Sequence, residues 1–481
     1  MSNHKDLRLE LSSGQNHDRQ VVDKINEAAR RILESTGLRF DNAEAVEIFK
    51  KAGVKIRDGN VVNIHSDLVD WALKCAPKNI SIYDRHEELA MDLGGDRNYY
   101  GAGSDCANLY DPETGQRRQA VLDDVHKGVL ILDALPNIDF AMSMLMPADV
   151  PLGRHEIYQM EAMLSGTVKP MVFVGESEAS TVCAAEMLAA VRGSFEALAA
   201  KPLGINYVNS VSPFIHNDQS LRRLMYGAKM NLPTVYHPGQ GRGTISPMTA
   251  AGTVALGQAA QLGVLVLHQL VREGAPMIRG LPGDGLLDLK TMVSIYLSPD
   301  IGRLGWLVAK ADGLPLFGTA GCSDAKILDA QAAAEAAMSL VNASLSGANL
   351  IHNLGYLDSA MTYCFELLTL SDEIVGWLRH LLAPRAVDEE ALALKVIDEL
   401  SREGGNFLNH RHTLKHLKET WSTDLFDHLS YANWQQKGSL TCDQKLRSKV
   451  TRLLKDHRPE LLPPAVQDRL AEIRTRYVGS L

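Results

Sequence analysis

The sequence predicts an α/β protein folded as a closed (β/α)8 barrel, a TIM barrel, because short apolar runs and helical segments alternate eight times along it. The 481 residues also suit one large barrel with extensions at both ends. An open, doubly wound sheet would require the motif G-x-G-x-x-G after its first strand, and that motif is absent there. We expect an N-terminal helical cap at 1–95, the barrel at 96–360 and a C-terminal helical region, packed on the barrel, at 361–481.

The N-terminal cap is predicted from the helical spacing of its apolar residues. The segment VVDKINEAARRILEST (21–36) has this spacing and stops at Gly37. Two shorter helices are predicted at 43–52 and 67–75, and the alternating segment NISIYDR (79–85) is predicted to form a strand.

Eight barrel strands are predicted from the apolar runs in the middle of the chain. They are expected at 98–103, 138–145, 170–175, 203–209, 233–238, 275–280, 314–319 and 349–355. Several of the helices between them have start signals. Asp123 and Asp324 each precede a helical segment, and Ser246 with Pro247 opens a long helix that ends at Gly274.

The C-terminal region is predicted to be helical, with helices at 367–382, 387–402 and 465–477. Between the last two, the sequence HRH around His410 and His412 resembles a metal-ligand cluster. Residues two apart on a helix do not face each other, so we predict no metal site there or elsewhere in the chain.

Composition restricts the classes of function. The 49 basic and 58 acidic residues leave a net charge of −9, which argues against nucleic-acid binding. The six cysteines include no C-x-x-C pair, so we expect no disulfide framework and a reducing, cytoplasmic location. The N-terminus has no apolar core of a signal peptide, and no apolar run is expected to span a membrane. Acidic barrels of this size often self-associate, so we expect a homo-oligomer.

The candidate site lies at the carboxyl ends of the barrel strands, where barrels of this kind carry their chemistry. Tyrosines recur there although aromatic residues are only 6% of the chain, and electron-rich rings bind quaternary ammonium ions. Polar groups at neighbouring strand ends can hold a carboxylate, so the site suits a zwitterion such as a betaine. The predicted substrate-binding residues are Tyr100, Tyr207, Asn209, His237, Gln240, Arg279 and Tyr356, and the predicted catalytic residue is His352.

Each of these residues also has a purely structural interpretation. A tyrosine at a strand end often packs with its hydroxyl in water. His237 and His352 would serve equally as core histidines with satisfied ring nitrogens. Arg279 would serve as the partner of a nearby acidic residue, and Asp324 as a helix cap.

Five segments carry a resemblance to a known family. They are NSVSPF (209–214), HPGQGRGTISPMTAAGTVALGQAAQL (237–262), GCSDAKILDAQAAAEA (321–336), IHNLGYLDSAMTYCFELLTLSDEI (351–374) and GGNFLNHRHTLKHLKETWSTDLFD (404–427). Together they resemble the trimethylamine:corrinoid methyltransferase superfamily, and the resemblance runs from about residue 20 to residue 475. It implies a (β/α)8 barrel that moves a methyl group from a methylated amine to a corrinoid.

The resemblance also points to a branch of that superfamily. Founding members use pyrrolysine, whereas the branch that lacks it demethylates quaternary amines such as glycine betaine, and this chain as given contains no pyrrolysine. The substrate-contacting positions that the resemblance implies are Tyr100, Asn209, Pro238 and His352. The positions that depart from the family pattern are Tyr236, His237 and Arg279, which leaves the choice among methylated amines open.

The implied reaction needs little acid–base chemistry, because a quaternary nitrogen already carries positive charge and its amine leaves neutral. The nucleophile is Co(I) of a reduced corrinoid (cobalamin), and the protein supplies orientation. The chain shows no cobalamin-binding module, so we expect the corrinoid on a separate partner protein and none bound permanently. Two alternatives are a metal-dependent barrel hydrolase or lyase, with His237, His352 and Asp324 as ligands, and a non-catalytic betaine-binding protein.

Overall fold

The computed structural model describes residues 14–151, 153–239, 241–282, 285–297, 302–423 and 425–480. Its centre is a ring of eight parallel strands, each within or close to a predicted range. They are β1 (Tyr99–Ala102), β2 (140–141), β3 (Met171–Val174), β4 (Gly204–Ser210), β5 (Thr234–Pro238), β6 (Met277–Gly280), β7 (Leu316–Thr319) and β8 (Leu350–Leu354). All except β2 form one sheet in the order β1-β8-β7-β6-β5-β4-β3.

The short strand β2 closes this sheet into a barrel. Phe140 bridges Gly101 on β1, and Ala141 bridges Met171 on β3, both in parallel. The amide of Val172 donates to the carbonyl of Ala141 at 2.8 Å. Both edges of the seven-stranded sheet are therefore paired, and the predicted barrel is confirmed.

The N-terminal region contains the predicted helices and a small sheet that the sequence did not predict. The helices are α1 (Gly14–Arg31), which continues as a π-helical turn (Ile32–Thr36), α2 (Ala43–Lys51) and α3 (Ser66–Cys75). The sheet consists of Leu38–Phe40, Lys55–Arg57, Val61–Asn63 and Ile215–His216. These strands have three residues or fewer, too few for an alternating pattern to be visible. The predicted strand near residue 80 is one half of a hairpin, Ile80–Tyr83 with Leu89–Leu93.

Helices surround the barrel and connect its strands. They are α4 (Leu122–Ala134), α5 (His155–Gly166), α6 (Glu178–Arg192), α7 (Phe195–Ala200), α8 (Asp218–Lys229), α9 (Ala250–Val271), α10 (Gly302–Ala311) and α11 (Ala330–Leu345). Two begin later than predicted. Helix α9 begins after Thr249 and not at Ser246, and α11 is capped by Asp329, whose carboxylate accepts from the amides of Gln331 and Ala332. Asp324 therefore does not cap the helix that follows it.

Helix α9 is the longest apolar segment among the described residues. By length and composition α9 could span a membrane, whereas the sequence predicted no segment of that kind. However, 83% of its most apolar window is buried inside the protein. Such burial is typical of a core helix, and α9 packs against α1, α3 and the barrel strands β5 and β6.

The C-terminal region is helical as predicted. Its helices are α12 (Phe365–Leu382), α13 (Glu389–Leu392), α14 (Leu394–Glu403), α15 (Arg411–His416), α16 (Tyr431–Gln436), α17 (Cys442–Asp456) and α18 (Pro464–Ser480). Helix α17 packs on α12 and α4, and α18 packs on α5 and α6. The single helix predicted at 387–402 is divided at Ala393, whose φ of 50° is left-handed.

The lower part of the barrel interior is filled by side chains. Val172, Ile205, Val235 and Ile278 come from four neighbouring strands and are fully buried. The interior is therefore a packed core and not a channel, so a substrate can enter only near the carboxyl ends of the strands.

Candidate active site

Side chains on each barrel strand alternate between the surrounding helices and the interior. Two contacts show which residues point outward. The Tyr236 hydroxyl lies 2.7 Å from Nδ1 of His216, and the Asn206 amide donates to the Arg223 carbonyl on α8. Their neighbours in sequence, such as Tyr207 on β4, therefore point into the barrel.

Three rings meet inside the barrel and form what we call the aromatic wall: Tyr207, Phe317 and His352. The ring centroids of Tyr207 and Phe317 are 5.4 Å apart, and the rings of Phe317 and His352 are stacked at 3.8 Å. Tyr207 lies on β4 and Phe317 on β7, with two strands between them in the sheet, so their contact passes through the interior. The sequence prediction included Tyr207 and His352 but missed Phe317, because no spacing distinguishes it from an ordinary core residue.

The orientation of His352 is set by the backbone of the neighbouring strand. Its Nδ1 lies 2.9 Å from the carbonyl oxygen of Gly318 on β7. A carbonyl only accepts, so Nδ1 carries the hydrogen of this bond. The side chain is only 8% exposed, so the imidazole is held in one position.

Polar side chains stand at the rim beside the wall. Asn209 is exposed near the end of β4, and His237 is its register partner on β5. A Cβ at Gly280 would lie 2.4 Å from Nδ1 of His237, so the neighbouring strand leaves room for the imidazole only because it has glycine there. Pro238 ends β5 and is buried. Gln240, predicted to bind a carboxylate, lies outside the described residues.

Two tyrosines close the opposite side of the opening. Tyr356 follows β8, is 3% exposed, and donates its hydroxyl to the carbonyl of Ser104. Burial raises the pKa of Tyr356 well above its ordinary value, so the phenol stays neutral and donates. The ring of Tyr296 lies 6.1 Å from that of Tyr356, and its hydroxyl accepts a hydrogen bond of 2.8 Å from Asn353. Tyr296 was not predicted, because it lies in the 285–297 segment between β6 and α10.

Asp324 joins three of the loops at this opening. Both of its carboxylate oxygens lie 3.0 Å from the amide of Tyr296, and Oδ1 accepts from the hydroxyl of Ser359 at 2.9 Å. These residues follow β6, β7 and β8, so one carboxylate fixes three loops around the site.

Two predicted site residues point away from the barrel interior, toward the surrounding helices. The hydroxyl of Tyr100 is 2.8 Å from Oγ of Ser344 on α11, outside the barrel. Arg279 is 2% exposed, and its guanidinium is paired with Asp312 and donates to Gln258 at 2.6 Å. The prediction that Tyr100 and Arg279 contact substrate at the barrel opening is therefore not supported. For Arg279, the alternative interpretation as the partner of an acidic residue is the one observed.

Two kinds of reactive group are not available in this opening. Burial raises the pKa of Cys106 and of Cys322 well above the ordinary value, so both thiols are neutral and not activated nucleophiles. Within the described ranges, His237, His352 and Asp324 do not form a three-ligand metal cluster. The metal-dependent alternative, for which these three residues were possible ligands, therefore gains no support from them.

Exposed apolar side chains surround the opening, and we call this set the apolar rim. These side chains lie on the loops that follow five successive strands, β4 to β8. The members of the apolar rim are Val211, Ile245, Met248, Leu289, Met292, Val293, Ile327 and Met361. Met292 is 67% exposed and Val211 is 75% exposed. Large exposed apolar groups on several adjacent loops usually mark an interaction surface.

Comparisons with known proteins place these features in a family. Residues 2–478 match the family described as trimethylamine methyltransferase (MTTB). The chain is 28% identical over 455 residues to a glycine betaine methyltransferase from Desulfitobacterium hafniense (strain Y51), covering 93% of this chain and 94% of the relative. It is 26% identical over 447 residues to a trimethylamine methyltransferase from Methanosarcina barkeri, covering 90% and 89%. The crystal structure of the hydroxylamine MtmB complex has a TM-score of 0.50 at 10% identity, covering 95% of this chain and 94% of that one, which is a likeness of fold.

Proposed function

Because the chain belongs to the trimethylamine methyltransferase (MTTB) family, we propose that this methyltransferase moves a methyl group from a quaternary amine, above all glycine betaine, to Co(I) of a corrinoid carried by a separate protein. The observation that carries the proposal is the aromatic wall. Three rings meet in the interior near the carboxyl ends of the strands, where a cation without hydrogen-bond donors would be held.

The aromatic wall binds the trimethylammonium group. Tyr207, Phe317 and His352 present electron-rich faces, and each desolvated contact with a cation is worth roughly 0.5–2 kcal/mol. Neither an acid nor a base is required, because the departing amine is neutral as soon as the carbon–nitrogen bond breaks. His352 acts by position: its Nδ1–H bond to Gly318 fixes the ring against Phe317 and so fixes the direction of the bound methyl group.

The rim residues bind the carboxylate. Asn209 and His237 are adjacent across β4 and β5 and have polar atoms at the opening. We also assign Gln240 to this group, because it lies three residues after His237 in the sequence. Pro238 and Tyr356 shape the two sides of the opening, and neither offers a charge.

The apolar rim is the docking surface for the corrinoid-carrying protein. A methyl group held at the aromatic wall can leave only through the opening, so its acceptor must approach there. An apolar contact around that opening would exclude water from the reacting centre. The corrinoid, when brought to the opening, supplies the nucleophile. We expect the enzyme to work in the cytoplasm as a homo-oligomer, as its sequence predicts.

The test measures methylcobalamin formation from Co(I) cobalamin with a panel of glycine betaine, proline betaine, carnitine and trimethylamine. We expect product from at least one quaternary amine, with the amine that has lost one methyl group formed in equal amount. Methyl transfer from trimethylamine alone would contradict the proposed substrate class. Tight betaine binding without any methylcobalamin, with an active relative as positive control, would favour the non-catalytic alternative.

A further inference from the structure

A second cluster of ligating groups lies outside the aromatic wall, at the ends of β2 and β3. His155 and Glu156 begin α5, and Glu176 lies in the loop after β3. We propose that these three residues bind a divalent transition-metal ion, such as Zn²⁺, that ties the two loops together. One ligating atom from each residue lies within 4.8 Å of the other two, and no other such group occurs among the residues that the structure describes.

Glu156 and Glu176 face different nitrogens of the His155 ring: Oε2 of Glu156 is 3.7 Å from Nδ1, and Oε1 of Glu176 is 3.5 Å from Nε2. One ion binds only one ring nitrogen, so it would lie at Nδ1 beside Glu156, and Glu176 would turn toward it. Metal–ligand bonds of about 2.0–2.2 Å place the donors of a tetrahedral zinc ion roughly 3.3–3.6 Å apart, close to the distance between His155 and Glu156. His155 and Glu156 are buried, whereas the Glu176 side chain is 58% exposed and can rotate to complete the site.

The second, independent observation is an unsatisfied carboxylate oxygen. Glu156 is 7% exposed, and its Oε2 is buried without a hydrogen-bond partner. Leaving a buried oxygen unsatisfied costs about 1–3 kcal/mol, so native proteins avoid it. This oxygen is directed toward His155, where the cation would lie.

Few cations lie near the two carboxylates. Within the described chain, the ion-pair partner of both Glu156 and Glu176 is His155, and Arg223 acts on them electrostatically without forming an ion pair. A divalent ion would balance the two carboxylates while the imidazole binds as a neutral ligand. One nitrogen and two oxygen donors suit Zn²⁺, Mn²⁺ or Fe²⁺ better than a thiolate-seeking ion.

The ion would also stabilise the barrel opening. One turn after His155, the amide of Gln159 donates to Asp105 at 3.1 Å and to the carbonyl of Leu145 at 2.6 Å. Fixing the start of α5 therefore fixes the loops after β1 and β2 as well. This role does not depend on the proposed methyl transfer.

The test is metal binding by the purified full-length enzyme. The protein is stripped with a chelator, incubated with ZnCl₂ or MnCl₂ and dialysed, and its metal content and Tm are measured. We expect about one ion per chain and a higher Tm, because an ion that binds only the folded state stabilises it. Glu176→Gln is an exposed change that should leave the fold intact and weaken binding by about tenfold or more.

The matched control is His86→Asn. His86 is another histidine that pairs with a glutamate, Glu460, at 3.1 Å, but on the surface. This variant should bind the ion as wild type does. The proposal is overturned if wild type retains no stoichiometric metal and shows no change in Tm. It is equally overturned if Glu176→Gln binds as tightly as His86→Asn.

Discussion

The carboxylate of Asp324 holds Tyr296 at the opening of the barrel: both of its oxygens lie 3.0 Å from the Tyr296 amide. The same carboxylate accepts from the Ser359 hydroxyl, so the loops after β6, β7 and β8 share one anchor. We expect Asp324→Ala to lower kcat/KM for the amine about tenfold, the equivalent of about 1.4 kcal/mol of lost positioning. Steady-state methylcobalamin assays measure this effect.

The control for this change is Asp329→Ala. Asp329 caps α11 five residues further on, where its carboxylate accepts from the amides of Gln331 and Ala332. Its loss should cost about 1 kcal/mol of stability and leave kcat/KM unchanged. Equal kcat/KM values for the two variants would show that Asp324 only stabilises the fold.

Phe317→Leu tests the aromatic wall. Leucine keeps most of the apolar volume but removes the ring face that lies between Tyr207 and His352. The Kd for glycine betaine should rise about 2- to 30-fold. Phe173→Leu is the matched control, because Phe173 is equally buried but points outward from β3, in register with Asn206. Isothermal titration that finds the same Kd for both variants would argue against a cation at Phe317.

His352→Ala tests the positioning of the methyl group. Without the imidazole, Phe317 loses its stacked neighbour and the bound amine gains freedom. We expect single-turnover methyl transfer to slow about 100-fold while thermal melting shows a folded protein. Unchanged turnover would remove His352 from the site.

Arg279→Met separates a structural role from a substrate-binding role. The change leaves Asp312 buried without its ion-pair partner, since the side chains are only 2% and 7% exposed. Breaking a buried pair in this way costs about 3–5 kcal/mol, whereas Arg279→Met combined with Asp312→Leu should recover much of that loss. Urea unfolding measures the stability. A raised KM with unchanged stability would instead indicate that Arg279 binds the substrate.

Buried histidines predict a loss of stability in acid. Burial lowers the pKa of His268 from its ordinary 6.5 to about 3. In the unfolded chain this imidazole takes up a proton below pH 6.5, while the folded protein leaves it neutral, so the unfolded state binds more protons. Stability therefore falls as the pH is lowered from 6.5 toward 3, by up to about 1.4 kcal/mol per pH unit for this group.

His268→Leu should reduce this acid dependence. The Tm of the variant should fall less between pH 7 and pH 5 than that of wild type. His65→Leu, whose side chain is 73% exposed in the wild type, is the control and should follow the wild-type curve. Parallel curves for all three proteins would show that His268 does not remain neutral in the fold.

The sequence by itself determined the barrel and the family. Eight apolar runs separated by helices leave few arrangements, and local spacing also located α2, α3, α12 and α18 within a few residues. What it could not locate were strands of three residues and the true starts of α9 and α11, because several residues near each helix start can act as caps.

Only the tertiary structure decided which strand-end residues face the interior. Alternation shows that Tyr207 and Val208 point in opposite directions, but the direction of each depends on the register between strands and on the helices outside. That register directs Arg279 to Asp312 and Tyr100 to Ser344, and it brings Phe317, far away in sequence, against Tyr207 and His352. Local pattern specifies elements, whereas contacts across a closed barrel exist only once all eight strands are paired.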